Sequence, residues 1–313
     1  MIEEPKDRNL LETLSFEAMN TTFYFALTNC KIPNWKEVIQ EWVRYVEKEW
    51  SRFSSDNELA RINQLPINQE MLVSPPLFDV FQTAEHYRQR TNGFFSPYLL
   101  RQMQYHGYDE SFPFYSKNLE MKHIPNIYDK DTPPFSFDHK TTSIKRLTEG
   151  QIDLGGIAKG YTVEAAARWL KNEGGARAGM ADGGGDLTVW SDEDRQWNIG
   201  IAHPYQKDVE IAQFRLKNGS VATSNVIYRS WTQGKKLKHH ILNGRTGQPT
   251  ESSIIQATVI SDNCLDAEVG AKLCFIEQEM NIKNELKNLN PACSFLLVNK
   301  NGEIMDGCLE ESK

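Results

Sequence analysis

Apolar residues recur at helical spacing from Trp35 through Val38, Ile39, Trp42, Val46 and Trp50 to Phe53, which predicts an amphipathic helix opened by Asn34 as its cap. Upstream, residues 9–29 read as two strands. The second, Thr22 to Leu27, is rich in aromatic and β-branched side chains. Met19-Asn20-Thr21 joins them, and Met19 taken alone reads first as core filler. Residues 51–59 turn into a short second helix ending near Asn63. Ser74-Pro75-Pro76 opens a third helix, with prolines in its first turn, running through Phe78, Phe81 and Tyr87 until Gly93 stops it. The tight loop Thr91 to Pro97 carries two adjacent aromatics, Phe94 and Phe95, which serve ring stacking or core closure equally well. Residues 109–134 are rich in Pro, Tyr and charge and lack periodicity, so a long surface excursion is expected there.

The second half alternates differently. A helix with Ala165, Ala166, Trp169 and Leu170 on one side ends at Gly174-Gly175. Asp182-Gly183-Gly184-Gly185-Asp186 turns between two strand-like runs. Residues 197–202 and 211–216 predict an antiparallel pair, followed by strands at 221–225, near 239–242, at 253–260, 295–299 and 304–308. A helix over residues 263–276 carries Asp266, whose i+4 neighbour on the same face is Gly270. Glycine inside a helix costs up to about 1 kcal/mol against alanine, and close packing is the simplest reason to keep one. Strands, helices, then mainly antiparallel strands with interspersed helices give an α+β fold with helices flanking the sheets.

Composition narrows the function. Lys and Arg total 35 against 42 Asp and Glu, a net charge of −7, which argues against a nucleic-acid binder. The five cysteines, Cys30, Cys264, Cys274, Cys293 and Cys308, are odd in number and form no Cys-x-x-Cys pair, as expected of reduced thiols. Residues 1–14 are charged and hold no apolar leader core, and no run is long enough to span a membrane. A cytoplasmic location is therefore the expectation.

The most chemical stretch is Asp153-Leu154-Gly155-Gly156-Ile157-Ala158-Lys159-Gly160. Its three glycines let the backbone approach a ligand. The helix that follows points free N–H groups at an anion such as a phosphate. His239-His240-Ile241-Leu242-Asn243-Gly244-Arg245-Thr246-Gly247 is a strand running into a Gly-bounded turn. In an alternating strand the two histidines face opposite ways, and His240 keeps the register of the turn.

Taken in order, Met19-Asn20-Thr21, Ser51-Arg52-Phe53 with Asn63, Thr91 to Pro97, Asp153 to Gly160, Gly184-Gly185-Asp186, Thr223-Ser224, His240 to Gly247 and Asp266 resemble the ApbE family, the FAD:protein FMN transferases. The resemblance covers about residues 12–308 and implies one duplicated T-fold-like domain. It implies FAD as substrate, Mg²⁺, release of AMP, and FMN attached to a Thr or Ser hydroxyl of an acceptor flavoprotein. It implies flavin or adenine contacts at Met19, Phe53, Phe94, Phe95, Ser96, Asp153, Lys159, Ser224 and Ile241, with His240 as the base. The implied metal ligands fall on the Gly156 carbonyl, Asp266 and position 270, a threonine in the family and Gly270 here. Asn20, Ser96, Asn225 and Gly244 are further departures. Two other readings share the cofactor: a flavin-binding carrier or regulatory protein without transfer, and an FAD pyrophosphatase giving FMN and AMP.

Overall fold

The computed structural model describes residues 11–114, 116–117, 125–128, 131–192, 194–206, 208–279 and 281–308. Its frame is one eight-stranded antiparallel sheet in which spatial order follows chain order. The strands are Glu12–Ala18, Thr21–Leu27, Ala178–Gly183, Asp186–Ser191, Gly219–Asn225, Ile254–Ser261, Ser294–Asn299 and Ile304–Cys308. The α-helices are α1 (Trp35–Glu49), α2 (Glu58–Gln64), α3 (Pro75–Arg90), α4 (Leu100–Tyr105), α5 (Ala158–Asn172), α6 (Cys264–Leu273) and α7 (Ile282–Leu289). Each half of the sheet has the same plan of two strands, helix, two strands. The helix before the second pair is α5 in the first half, and α6 followed by α7 in the second. The α5 and α6 helices pack on the sheet and on each other. That repeat is the duplicated α+β architecture the resemblance implied.

The first hairpin turns at Met19 and Asn20, both at positive φ (51° and 57°). This is a tight hairpin turn in which asparagine tolerates the left-handed region. Phe23, Phe25 and Leu27 then face α1 and α5, with Trp35, Ile39 and Val43 across from them. The opposite face of the sheet is covered by the hairpin Trp197–Ala202 and Glu210–Leu216. Trp197, Ile199 and Ile201 point inward in strict alternation.

The first helix stops earlier than the apolar spacing suggests, at Glu49 rather than Phe53. Asn57 explains this. Its amide donates to the carbonyls of Lys48 (2.8 Å) and Ser51 (2.7 Å), while its Oδ1 accepts from Ala60 N (2.8 Å) to cap α2. One side chain thus ends one helix and starts the next, and Phe53 is left on the turn between them.

Where it is described, the expected excursion lies mostly at the surface, with Asp109, Glu110, Ser111, Pro113, Asn126, Asp131 and Thr132 exposed, but it is tied to the body of the protein. Phe114 is buried and its ring lies 5.5 Å from that of Tyr108 and 5.4 Å from that of Trp231. Gln102 donates to the Asn126 carbonyl at 2.5 Å. Aromatic burial and this hydrogen bond pin the segment at two points. The rest of that expectation, residues 115, 118–124, 129 and 130, lies outside the described residues.

Candidate active site

The central turn is held from three sides. Asn63, at the end of α2, accepts from Ile152 N (2.7 Å) and donates to Ile152 O (2.9 Å), which fixes the extended segment entering the turn. Asp153 N donates to the Pro97 carbonyl at 2.7 Å. The Asp153 carboxylate accepts from Gly155 N (2.8 Å) and from the Arg52 guanidinium, and both side chains of this ion pair are 7% exposed. Arg52 also lies over the Tyr108 ring, 4.0 Å from its centroid, and over Phe53, 4.7 Å away. Beyond the turn, α5 presents the Lys159 ammonium to Asp186. Gly160 N donates to Glu268 Oε2 at 2.9 Å. Burial works against the Lys159 charge, but the carboxylates of Asp186 and Glu268 outweigh it and raise its pKa.

The aromatic loop is clamped against the histidine turn. Phe95 N donates to Thr91 Oγ1 (3.1 Å), Gly244 N to Phe94 O (2.8 Å) and Arg245 Nε to Asn92 O (2.7 Å). The Arg245 guanidinium lies 3.6 Å from the Phe94 ring centroid. A Cβ at residue 244 would sit 2.2 Å from the Gly93 carbonyl oxygen, so the close approach of the two loops requires glycine there.

The strand expected near 239–242 ends at His239 and His240 stands in a bend, so the two histidines part at the strand end rather than by alternation along a strand. His239 Nε2 bonds the Thr250 carbonyl at 3.0 Å and is structural. His240 half-emerges into the cleft, with Nδ1 3.4 Å from the Arg229 carbonyl. A carbonyl only accepts, so Nδ1 carries the proton and Nε2 keeps a free lone pair. Burial, and then the positive charge of Arg229, push the His240 pKa well below its ordinary value, so the imidazole is neutral near pH 7.

These segments enclose a cleft of about 270 Å³. Of the residues expected at the flavin or adenine, Met19, Phe53, Phe94, Phe95 and Ser96 line it. So do Asp153, Lys159 and Ile241, together with His240 and Gly156. Ser224 does not; it is half-buried on its strand opposite Ala257.

The expected metal set does not assemble either. The Asp266 carboxylate accepts from Tyr87 Oη (2.7 Å) and Asn290 Nδ2 (2.8 Å), with Arg90 at 3.5 Å, and none of these groups lines the cleft. A Cβ on Gly270 would meet Leu286 (3.0 Å), Val259 (3.4 Å) and Leu289 (3.5 Å). The glycine therefore serves close packing, and a hydroxyl there would enter apolar contacts. At 100° per residue, the face that reaches the cleft lies two positions on. It carries Glu268 and Lys272, joined by a 3.2 Å ion pair. Among the described residues no cluster of three or more His, Cys, Asp or Glu is arranged to hold a metal.

Several site residues were not expected from the sequence: Lys272, Arg229, Tyr108 and Glu268. Opposite charges at i and i+4 marked the Glu268–Lys272 face of α6. Arg229 sits among Val226, Ile227, Tyr228 and Trp231, in a stretch with no motif to single it out.

The model of the ApbE family matches residues 19–296. A Chlamydia muridarum protein named FAD:protein FMN transferase is 26% identical over 250 residues, covering 75% of this chain and 73% of that protein. A Klebsiella pneumoniae protein of the same name is 31% identical over 140 residues, 44% of this chain and 43% of that protein. The ApbE protein of Thermotoga maritima superposes with a TM-score of 0.79 at 24% identity, over 95% of this chain and 96% of that one. The Vibrio cholerae flavin transferase ApbE superposes with a TM-score of 0.72 at 19% identity, over 96% and 97%. With most of its length matched by the family model, and the same fold in these solved structures, the chain belongs to the ApbE family.

Proposed function

We propose that the protein transfers the FMN half of FAD to a Ser or Thr hydroxyl of an acceptor flavoprotein and releases AMP. The observation that carries this reading is one cleft lined both by aromatic and apolar groups (Phe53, Phe94, Phe95, Tyr108) and by Lys159, Arg229, Lys272 and a neutral His240. The rings suit a flavin and the cations suit a pyrophosphate. His240 Nε2 is free to take the acceptor's proton as its oxygen attacks the FMN phosphorus. A P–O bond to that oxygen forms, the anhydride P–O bond breaks, and the electron pair leaves with AMP. The residues expected to hold Mg²⁺ do not converge, so no step is assigned to the metal.

The test is product analysis after incubating the protein with FAD and a Thr-bearing acceptor flavoprotein. Covalent FMN on the acceptor with equimolar AMP is expected, lost in His240→Ala and kept in His239→Ala. Free FMN with AMP would instead indicate pyrophosphatase activity. FAD bound but unchanged would indicate a carrier.

A further inference from the structure

Breaking a pyrophosphate requires positive charge on its oxygens, and a divalent cation held by oxygen ligands is one way to supply it. In this chain the carboxylates around the cleft already have protein partners. Asp153 is paired with Arg52 and Asp186 with Lys159, while Asp266 is held by Tyr87 and Asn290. Glu268, 1% exposed, receives Gly160 N on one oxygen and the Lys272 ammonium on the other. Lys272 Nζ also donates to the Glu268 carbonyl at 3.1 Å, so it is anchored twice to its own helix. Its stem crosses the central turn. A Cβ built on Gly156 would lie 3.7 Å from Lys272 Cε, and both residues line the cleft. With its side chain 20% exposed, Lys272 keeps donor capacity facing the ligand space.

We infer that the Lys272 ammonium is a built-in cation standing opposite Gly156, where the family resemblance implies a metal ion. FAD binding and FMN transfer by this protein therefore need no divalent metal. The inference rests on the FMN-transfer reading above. Lys272, with Lys159 and Arg229, neutralises the pyrophosphate oxygens as the acceptor oxygen displaces AMP, and the lysine itself is not consumed. A divalent ion entering beside it meets like charge and finds Glu268 already satisfied.

Two measurements on the full-length protein test this: FAD affinity by flavin fluorescence, and AMP release, each in EDTA and in millimolar Mg²⁺. Wild type is expected to differ by about twofold or less between the two conditions. Lys272→Met keeps the stem and removes the charge, and it should weaken FAD binding about 10–100-fold, the usual effect of losing a charge-assisted hydrogen bond. Lys272→Arg should recover most of that binding, still in EDTA. Lys272→Thr replaces the ammonium with an oxygen beside Glu268 and should make FAD binding Mg²⁺-dependent. Melting curves with and without FAD show which variants are folded, and the wild-type comparison stands whatever the variants do. Tenfold or greater stimulation of wild type by Mg²⁺, or a Mn²⁺ signal from a metal bound to the wild-type FAD complex, overturns the inference while leaving the flavin reading intact. Failure to bind FAD under both conditions overturns the flavin reading and this inference with it.

Discussion

Replacing Asn63 by alanine should loosen the candidate active site from behind. Asn63 touches no cleft residue through its amide; it bonds only the N–H and C=O of Ile152, at 2.7 and 2.9 Å. Ile152 is 1% exposed, so both groups lose their partners out of reach of bulk water. Orphaning a buried donor or acceptor costs about 1–3 kcal/mol each, and the better helix propensity of alanine returns at most about 0.7, for a net loss of roughly 1–5 kcal/mol. Asp153, the next residue, carries the Arg52 pair and the start of the Gly-rich turn, so the same change misplaces the turn. A misplacement of about 1 Å is enough to slow transfer about 100-fold. Urea unfolding gives the first number and FMN-transfer rate the second. Gln64→Ala, on the exposed side of the same helix, is the control and should stay within about 0.5 kcal/mol of wild type. If Asn63→Ala unfolds at the same urea concentration as Gln64→Ala and transfers FMN at the wild-type rate, the two hydrogen bonds do not hold the turn in place.

Gly270→Thr should destabilise the protein by about 1–3 kcal/mol through overpacking against Leu286, Val259 and Leu289, with no gain in Mg²⁺ response; thermal melts with and without the ion check both parts. His106 should make stability acid-sensitive. Burial pushes its pKa down to about 4, the Gly247 carbonyl opposes this and Lys238 adds to it. The unfolded chain then takes up its proton near pH 6.5, before the folded protein does. Stability is therefore lost as pH falls from about 6.5 and levels off below about 4, by up to about 3 kcal/mol. His106→Gln should flatten that limb in melts run from pH 7 to pH 4.

The main sheet was legible because many of its strands are short apolar runs flanked by turn residues; those expected at 22–27, 221–225, 253–260, 295–299 and 304–308 lie within two residues of the observed ones. The ligand loops were legible for another reason. Gly-rich turns, adjacent aromatics and a histidine just before a Gly-bounded turn carry their chemistry in local spacing. The α4 and α7 helices were not read from the sequence. The α7 helix does carry a signal, Ile282, Leu286 and Leu289 at i, i+4 and i+7, but over only eight residues. The small sheet of Glu70–Leu72, Ser143–Arg146 and Phe135–Asp138 is built from strands of three and four residues, brought together across more than 60 positions. The error at the metal was one of helix phase. Motif spacing points to Asp266, whereas packing decides which face of α6 looks into the cleft. Tyr87, Arg90 and Asn290 claim the Asp266 face, and α7 claims the face of Gly270.

The order of strands in the main sheet also governs how the chain emerges during synthesis. The strand Thr21–Leu27 is complete early, but its inner neighbour, Ala178–Gly183, follows only about 150 residues later. At about 5–20 residues per second the wait is roughly 8–30 s. Throughout it, the open edge of a strand carrying Phe23, Phe25 and Leu27 can pair with a second nascent chain. The segment made during the wait includes α1, whose Trp35, Ile39 and Val43 cover those side chains, so the helix shields the apolar face before the sheet closes. Weakening α1 should therefore lower the yield of soluble protein more than it lowers the stability of protein that has already folded.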